Sequence, residues 1–600
     1  MKKRNALKIP FFIFKVTAVI IALSVQPERL QISQSGHGIN AFFNILYSEL
    51  VFNSLTNSLF VIFAICFLFR EIFRKNEPFE PLICLLAFFF SLFLLIGDSF
   101  SLYHDFTFIF FSRVQTVIAA IILIGKWILL YYGIRYLLHK IDTCQITTQL
   151  QPDSFVYKHF FSICFFTLLI IWTILSLPYF PGSVPHDGRS QLNQYFRIDP
   201  LTMDHPVFAT WFLGSIYNIG NIFGTSGGII LIVMVQSFCG AFTFAKICDY
   251  IKEQLNLKFA SFFLFFYAFA PMWWTYISAA VKDTMFFILI ALYSFLICKI
   301  SDGNNGKKIY FLTTFVSIML CGFRNNGILI IIVSLFSVFL SLEKKEQRKN
   351  ILYVLCAVIA VFFSYYFIQV NILGLKTKNK NELIPVPLQQ IARYVSQYKD
   401  DITEEEAAII DRIVVYDGIE DRYNPELADP VKNLWRANIS HEDFLNFFNL
   451  YFQLFKKHPL PFVEAALNHS FGYFDPEYIF EGMRTWQLYN KDSVSANDKG
   501  IIYSQYLFSQ EIRDISENMA DLWKRIPALS IFVYPGAYTW LVMLSITQLL
   551  RKNKRKKLCL LVAPAINILI CCAFPVNGLL RYALPIMSTM PLYVKLLFSE

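Results

Sequence analysis

The sequence predicts a polytopic α-helical membrane protein with about fourteen transmembrane helices and a mainly helical extracytoplasmic domain. Three observations carry this. Hydrophobic residues fill 56% of the 600 positions, and phenylalanine alone supplies 64 of them. Apolar runs of about 17–25 residues recur from end to end, the length a helix needs to cross about 30 Å of hydrocarbon. Basic residues gather in short blocks between those runs, at Lys2–Arg4, Arg70–Lys75, Lys344–Lys349 and Arg551–Lys557, as loops held on the cytoplasmic side do. The net charge of +10 therefore reports loop orientation and not a nucleic-acid surface.

Taken in order, the predicted spans are 8–25, 51–69, 81–97, 112–138, 160–177, 227–248, 258–276, 284–299, 309–323, 327–342, 351–371, 527–549, 558–575 and 582–598. The first run holds Lys15 and no small-residue cleavage site, so it reads as a span and not as a signal peptide. Lys126 in the fourth run is either a structural charge or the mark of a misplaced boundary. With Lys2–Arg4 inside, the blocks at Arg70–Lys75, Arg135–Lys140, Lys252, Lys307–Lys308, Lys344–Lys349 and Arg551–Lys557 fall inside too. This holds if 206–222, which contains Asn218, Gly220 and Asn221, is a surface or re-entrant helix. The expected location is the plasma membrane, with 178–226 and 372–526 extracytoplasmic and the C-terminus cytoplasmic.

The chain accordingly divides into N-terminal transmembrane helices (1–177), a first external loop with surface or re-entrant helices (178–226), central transmembrane helices (227–371), an extracytoplasmic mainly helical domain (372–526) and C-terminal transmembrane helices (527–600). Residues 372–525 carry 24 acidic against 17 basic side chains, opposite to the chain as a whole. Thr403-Glu-Glu-Glu406 reads as a capping box, followed by an apolar face at Ile409, Ile410, Ile413 and Val414. Ser440-His-Glu-Asp443 opens a second helix striped by Phe444, Phe447, Phe448, Tyr451 and Phe455 and stopped by Lys456, Lys457 and Pro459. That stripe suits either a membrane contact or an internal core. A third helix is expected over about 509–525. The 12 cysteines avoid this domain and show no zinc or CxxC spacing, so neither a disulfide framework nor a zinc site is expected; Cys571–Cys572 reads as packing.

Polar chemistry concentrates in Leu177–Val207, between two apolar runs. Pro178, Pro181, Pro185, Pro200 and Pro206 forbid one long helix there. Asp187 and Asp204 are the best carboxylates to take a proton from an acceptor hydroxyl or to hold a divalent ion. Turn formation at Asp187-Gly188 and helix capping by Asp204 are the structural alternatives. His205 either acts on a phosphate, orients an aspartate or makes an ordinary hydrogen bond. The predicted topology puts other polar groups on the same face: Lys282–Asp283, Arg324-Asn325-Asn326-Gly327 and Arg581. Each is either a ligand for a phosphate or an interfacial anchor or turn. Trp273 and Trp274 read as an aromatic belt. No Walker loop, GxGxxG, HExxH or nucleophile elbow is present, which argues against an ATP-driven pump and a soluble-type hydrolase.

PYFPGSVPHDGRSQLNQ with the following DHPVFAT, then AAVKDTMFF, GFRNNGILI and IPVPLQQIAR, together resemble a bacterial family of multi-pass proteins grouped with the GT-C glycosyltransferases. DPVK at Asp429–Lys432 and RYALPI at Arg581–Ile586 fit the same pattern, so the resemblance runs from about 160 onward. It implies a GT-C-like fold and transfer of a sugar from a polyprenyl-phosphate-linked donor to a cell-envelope glycan or lipid on the outer face. Asp187 matches the acidic residue that serves such enzymes as base or metal ligand, and Asp204 and His205 match a second polar cluster. His186, Arg189, Gln191, Lys282, Asp283, Arg324, Asn325 and Arg581 are then candidates for binding the donor and its phosphate. A divalent Mg or Mn ion, at Asp187 and Asp204, is the cofactor such a site would use. Unlike the mannosyltransferase branch, the loop lacks an adjacent Asp-Glu pair. The competing readings are a flippase or transporter for lipid-linked oligosaccharides, a glycan polymerase or ligase, and a non-catalytic assembly protein.

Overall fold

The computed structural model describes residues 2–25, 38–49, 55–73, 78–144, 154–224, 226–375, 384–436, 438–486, 488 and 506–598. In chain order the helices used below begin with α1 (Lys2–Ser24), α2 (Pro81–Tyr103), α3 (Arg113–Thr143), α4 (Phe160–Ser176), α5 (His186–Tyr195), α6 (Val207–Gly220) and α7 (Gly227–Gln254). Next come α8 (Leu257–Phe269), α9 (Pro271–Ile277), α10 (Lys282–Ser301), α11 (Lys307–Phe323), α12 (Gly327–Ser341) and α13 (Lys345–Phe367). The remainder are α14 (Pro385–Tyr398), α15 (Glu404–Asp411), α16 (His441–Lys457), α17 (Leu460–Asn468), α18 (Gln510–Arg525), α19 (Pro535–Arg551), α20 (Val562–Ala573), α21 (Leu580–Ser588) and α22 (Met590–Leu597). No β-strand occurs among the described residues, only isolated bridges.

Seven helices among the described residues are long and apolar enough to cross a membrane, or eight if α8 and α9, bent by 50° at Ala270, form one span. The chain is a polytopic α-helical membrane protein. Helix occupies most of every predicted span, apart from 51–54, which lie outside the described residues. Several of those helices are short, and the last predicted span breaks at Thr589 into α21 and α22, where Pro585 and Pro591 interrupt the backbone ladder. Residues 206–222 form the 14-residue α6 and a 3-10 turn. At about 1.5 Å per residue, α6 is too short to cross the hydrocarbon core.

Two compact units interleave along the sequence, the first being Met1–Cys144, Leu383–Tyr478 and Cys572–Gly578, and the second the remainder. The segment 372–526 is therefore shared between them. In the first unit α2 and α3 lie antiparallel, with Lys126 donating to Asp98 near one end and Glu80 facing His139 at 2.8 Å at the other. Lys126 is thus a paired charge inside a helix. Residues 384–478 build their own core from Leu388, Ile391, Val395, Ile410, Phe447 and Leu454. Both capping boxes are present, at Thr403/Glu406 and Ser440/Asp443, and the aromatic stripe of α16 turns mainly into this core. Arg393 and Glu464 pair inside it at 2.9 Å.

In the second unit α7 is the central helix, packed by α4, α6, α8 and α10. Trp273 is fully buried, at 0% exposure, against Phe244, Phe266, Tyr267 and Phe287, and Trp274 is 4% exposed. The expected aromatic belt is instead core: the bend at Ala270 turns α9 inward, so a pattern that reads as interfacial on a straight span faces protein. Residues 506–513 strap the start of the loop that follows α4. Leu507 N–H donates to the Phe180 carbonyl at 3.0 Å, Tyr179 donates to the Arg513 carbonyl at 3.0 Å, and Tyr506 meets Ser183 at 3.2 Å.

Helix α18 carries three faces about a third of a turn apart, as a spacing of about 100° per residue arranges them. Arg513, Ser516 and Ala520 are buried in protein, Asp514, Glu517 and Asp521 form an acidic edge, and Ile512, Ile515, Met519 and Leu522 are 41–55% exposed in one stripe. That is the physical type of an interfacial helix. Nitroxide labels at 515 and 519, in nanodiscs, are expected to be accessible to oxygen and shielded from an aqueous nickel chelate, with the reverse at 514. Equal nickel access at 514, 515 and 519 would refute an interfacial position.

Candidate functional site

The site in the second unit is built where two loop segments run side by side. Ser183 and Ala279 form a parallel bridge, with Ser183 N–H donating to Ser278 O at 2.9 Å and Ala280 N–H to Ser183 O at 2.8 Å. Each strand of this short ladder then enters a helix, α5 at His186 and α10 at Lys282, so their first-turn residues finish as neighbours. Gly188 makes this possible: a Cβ there would stand 1.9 Å from the Ala280 carbonyl oxygen. The Asp187-Gly188 pair is therefore not a turn but the first turn of a helix pressed onto a neighbouring backbone.

Six side chains form one row from this junction. Asp283 stands at its buried end, 3% exposed, with Arg324 Nε donating to Oδ1 at 2.8 Å and Arg581 Nε to Oδ2 at 2.8 Å. Arg581 also reaches Asp187 Oδ2 through Nη2. Lys282 Nζ lies 3.4 Å from the same oxygen and donates to His205 Nδ1 at 2.8 Å. The order is Arg324, Asp283, Arg581, Asp187, Lys282, His205. Side-chain exposure is lowest at Asp283, 3%, and highest at Asp187, 26%, with Arg581 at 17% between them and Lys282 beyond at 11%. Three cations face two carboxylates, leaving one excess positive charge.

Helix ends reinforce the arrangement. Asp187, Asp283 and Arg581 each occupy the second residue of a helix, and Arg324 caps the C-terminus of α11. Helix N-termini favour the two carboxylates and any incoming anion, and a C-terminus favours the arginine. The Phe286 and Tyr582 rings lie 5.2 and 5.6 Å from the Arg324 guanidinium carbon and hold it in place. These two aromatics escaped the sequence reading, although Phe286 sits three residues after Asp283, on the same helical face.

Burial raises the Asp187 pKa, but the Arg581 and Lys282 charges outweigh it and hold the carboxyl well below the usual carboxylate range. Burial first, then Lys282, pushes His205 down to about 4. The imidazole is neutral at pH 7, and since Nδ1 accepts from Lys282, the ring proton sits on Nε2.

The other predicted residues stand as follows. His186 is exposed, with Nδ1 3.9 Å from Asp187 Oδ1, and its pKa is raised chiefly by that carboxylate. Arg189 is half-buried on α5, near enough to His186 to oppose its protonation. Gln191 is fully buried and donates to Thr210 at 3.3 Å, bracing α5 on α6, while its Oε1 has no hydrogen-bond partner. Asn325 is exposed and contributes no contact to the row. Asp204 is exposed and accepts from the Thr202 hydroxyl at 3.0 Å; it acts on His205 only through its charge, and it does not cap α6, whose cap position is Pro206. Among the described residues no three His, Cys, Asp or Glu side chains gather as a metal ligand set. The neighbours of Asp187 are ammonium and guanidinium groups, a donor set that suits an anion and repels a divalent cation.

An apolar cavity of about 180 Å³ lies between α6, α11 and α13. Phe208, Met319, Gly322, Val358, Phe362 and Tyr365 line it. Phe208 follows His205 by three residues and Gly322 precedes Arg324 by two, so two chain segments supply both the cavity's lining and the charged row.

Residues 197–600 match the model of a family described as "Family of unknown function (DUF6020)", and the chain belongs to that family. The matched region holds His205, Lys282, Asp283, Arg324 and Arg581 and begins ten residues after Asp187. No curated protein and no solved structure matches the chain.

Two predictions test this geometry. Gly188→Ala must displace α5 from the Ala280 carbonyl and is expected to cost about 1–3 kcal/mol, the usual range for overpacking, read as a lower melting temperature in detergent; an unchanged melting temperature would show that the close approach is not needed. The His205 pKa lies below its unfolded value of about 6.5. Its stabilising contribution is therefore full above that value and lost as pH falls toward about 4. Melting temperature should drop over that window in the wild type, and less steeply in His205→Asn.

Proposed function

We propose that the protein is an integral-membrane glycosyltransferase of GT-C type, with about fourteen crossings, that moves a sugar from a polyprenyl-phosphate-linked donor to a cell-envelope glycan or lipid on the outer face of the plasma membrane. The observation that carries this reading is the row itself: three cations and two carboxylates at converging helix ends, with one excess positive charge; an apolar cavity lined in part by Phe208 and Gly322, near His205 and Arg324 in sequence, supports it. A ligand suited to both features carries an anion and a hydrocarbon chain on adjacent atoms, as a lipid phosphate does.

In the proposed reaction Arg581, Arg324 and Lys282 hold the donor's phosphate and stabilise the charge that collects on it as the bond from the sugar's anomeric carbon to the phosphate oxygen breaks. The acceptor hydroxyl oxygen forms the new bond to that carbon, and its proton passes to Asp187. His205, with its proton on Nε2, is a neutral donor for a substrate oxygen. Asp283 touches no substrate; it fixes the two arginines. The chain's own residues account for each step, and none is routed through a metal.

One observation favours translocation of a lipid-linked glycan as a second reading: the Lys126–Asp98 pair lies within two helices apolar enough to be spans. It is a closed pair of opposite charges, which a transport path would need to open.

The two readings separate in proteoliposomes supplied with a polyprenyl-phosphate-linked sugar. Asp187→Asn is expected to lower sugar transfer by about 100-fold or more, the usual scale of a lost general base, with membrane expression unchanged. Full transfer in that variant would sink the assignment, and movement of the lipid-linked sugar without transfer would favour the second reading.

A further inference from the structure

We infer that Asp187 stands in for the substrate's phosphate: in the free protein its Oδ2 occupies the place between Lys282 and Arg581 that a phosphate oxygen takes when the donor binds, and this exchange releases the carboxylate to accept the acceptor's proton. The inference rests on the lipid-phosphate reading above and adds an order of events to it.

The two carboxylates of the row are not equivalent. Asp283 gives a separate oxygen to each arginine and is 3% exposed. Withdrawing it would take a charged partner from both guanidinium groups at once in a poorly hydrated site, the costly way to break a buried pair. Asp187 uses one oxygen, Oδ2, for both Lys282 and Arg581, and is 26% exposed. Its other oxygen faces His186, on the open side. Asp187 can therefore turn toward water and keep its hydration, whereas Asp283 cannot. An incoming phosphate oxygen meets donors already oriented, because Asp283 holds Arg581 from behind.

Chemistry requires such an exchange. While tied to two cations, Asp187 is a very weak base, unsuited to take a hydroxyl proton. Moving those cations onto a phosphate removes the attraction and sets a negative charge nearby, and both changes raise the carboxylate's proton affinity. The base is thus armed only after the donor is in place. Acceptor or water arriving first meets a carboxylate that does not accept its proton.

Farnesyl phosphate, titrated into the full-length protein in nanodiscs, tests this. Asp187→Asn is expected to bind it about tenfold more tightly than wild type, a change worth about 1.4 kcal/mol, because the internal competitor is gone. Asp283→Asn is expected to bind it at least about tenfold more weakly. Simple removal of a negative charge would tighten both, so two shifts of the same sign overturn the inference. A second readout covers an Asp283→Asn protein that does not fold. Calorimetry near pH 6 in buffers of different ionisation enthalpy should show proton uptake on binding in the wild type beyond that in Asp187→Asn; equal uptake overturns the exchange. If wild type and Asp187→Asn both fail to bind farnesyl phosphate, the lipid-phosphate reading falls, and the exchange with it.

Discussion

The bond pair at Asp283 is the constraint on which the second unit's polar end depends. One carboxylate, almost without solvent, accepts from Arg324 through one oxygen and from Arg581 through the other. The residues it joins lie 41 and 298 positions away in sequence, at the ends of three different helices. Burying three charges costs several kcal/mol each unless they satisfy one another. The geometry here does so with planar guanidinium groups, each placing Nε and Nη2 on one oxygen of the carboxylate. The arrangement stabilises little by itself compared with an apolar core. What it supplies is position, since the helix ends must meet at one point or leave a charge stranded.

Much of this was legible in the sequence, and the parts that were not share a cause. The apolar runs, the two capping boxes, the helix at 510–525 and the gathering of Asp187, Lys282, Arg324 and Arg581 follow from local periodicity or from charge at span mouths. Such signals act over a few residues or one membrane thickness. The roles of Gly188, Trp273 and Asp204 do not. Gly188 reads as a turn residue because the backbone that crowds it belongs to Ala280, 92 residues away. Trp273 reads as interfacial because the bend at Ala270 is not written in hydrophobicity. Asp204 reads as a cap because Asp before His-Pro usually is one, yet Pro206 itself takes the cap position. Tertiary contact decided each of these.

The electrostatic state of Asp187 was not legible in the sequence either. A carboxylate offered to take a proton from a hydroxyl is expected to have raised basicity. The structure gives the opposite, because burial acts on Asp187 together with two cations and loses to them. Proximity of candidate groups is therefore insufficient to assign acid–base roles; the partners each group has at rest decide whether it can take a proton.

The net charge of the row bears on which lipid-linked donor suits it. Three cations against two carboxylates leave one positive charge uncompensated, with His205 neutral at pH 7. A sugar joined to a polyprenyl monophosphate is a phosphodiester with a single negative charge, and it neutralises that excess. A diphosphate brings at least one more, which in a poorly hydrated site would need a further cation within a few ångströms. Of the other basic residues on α5, His186 is exposed to water, which screens it, and Arg189 is half-buried. The same count separates the two carboxylates by function. The buried one balances the arginines permanently. On the proposed reading, the open one balances the row only until a phosphate does so instead, and a monophosphate would take over that role without leaving a charge behind.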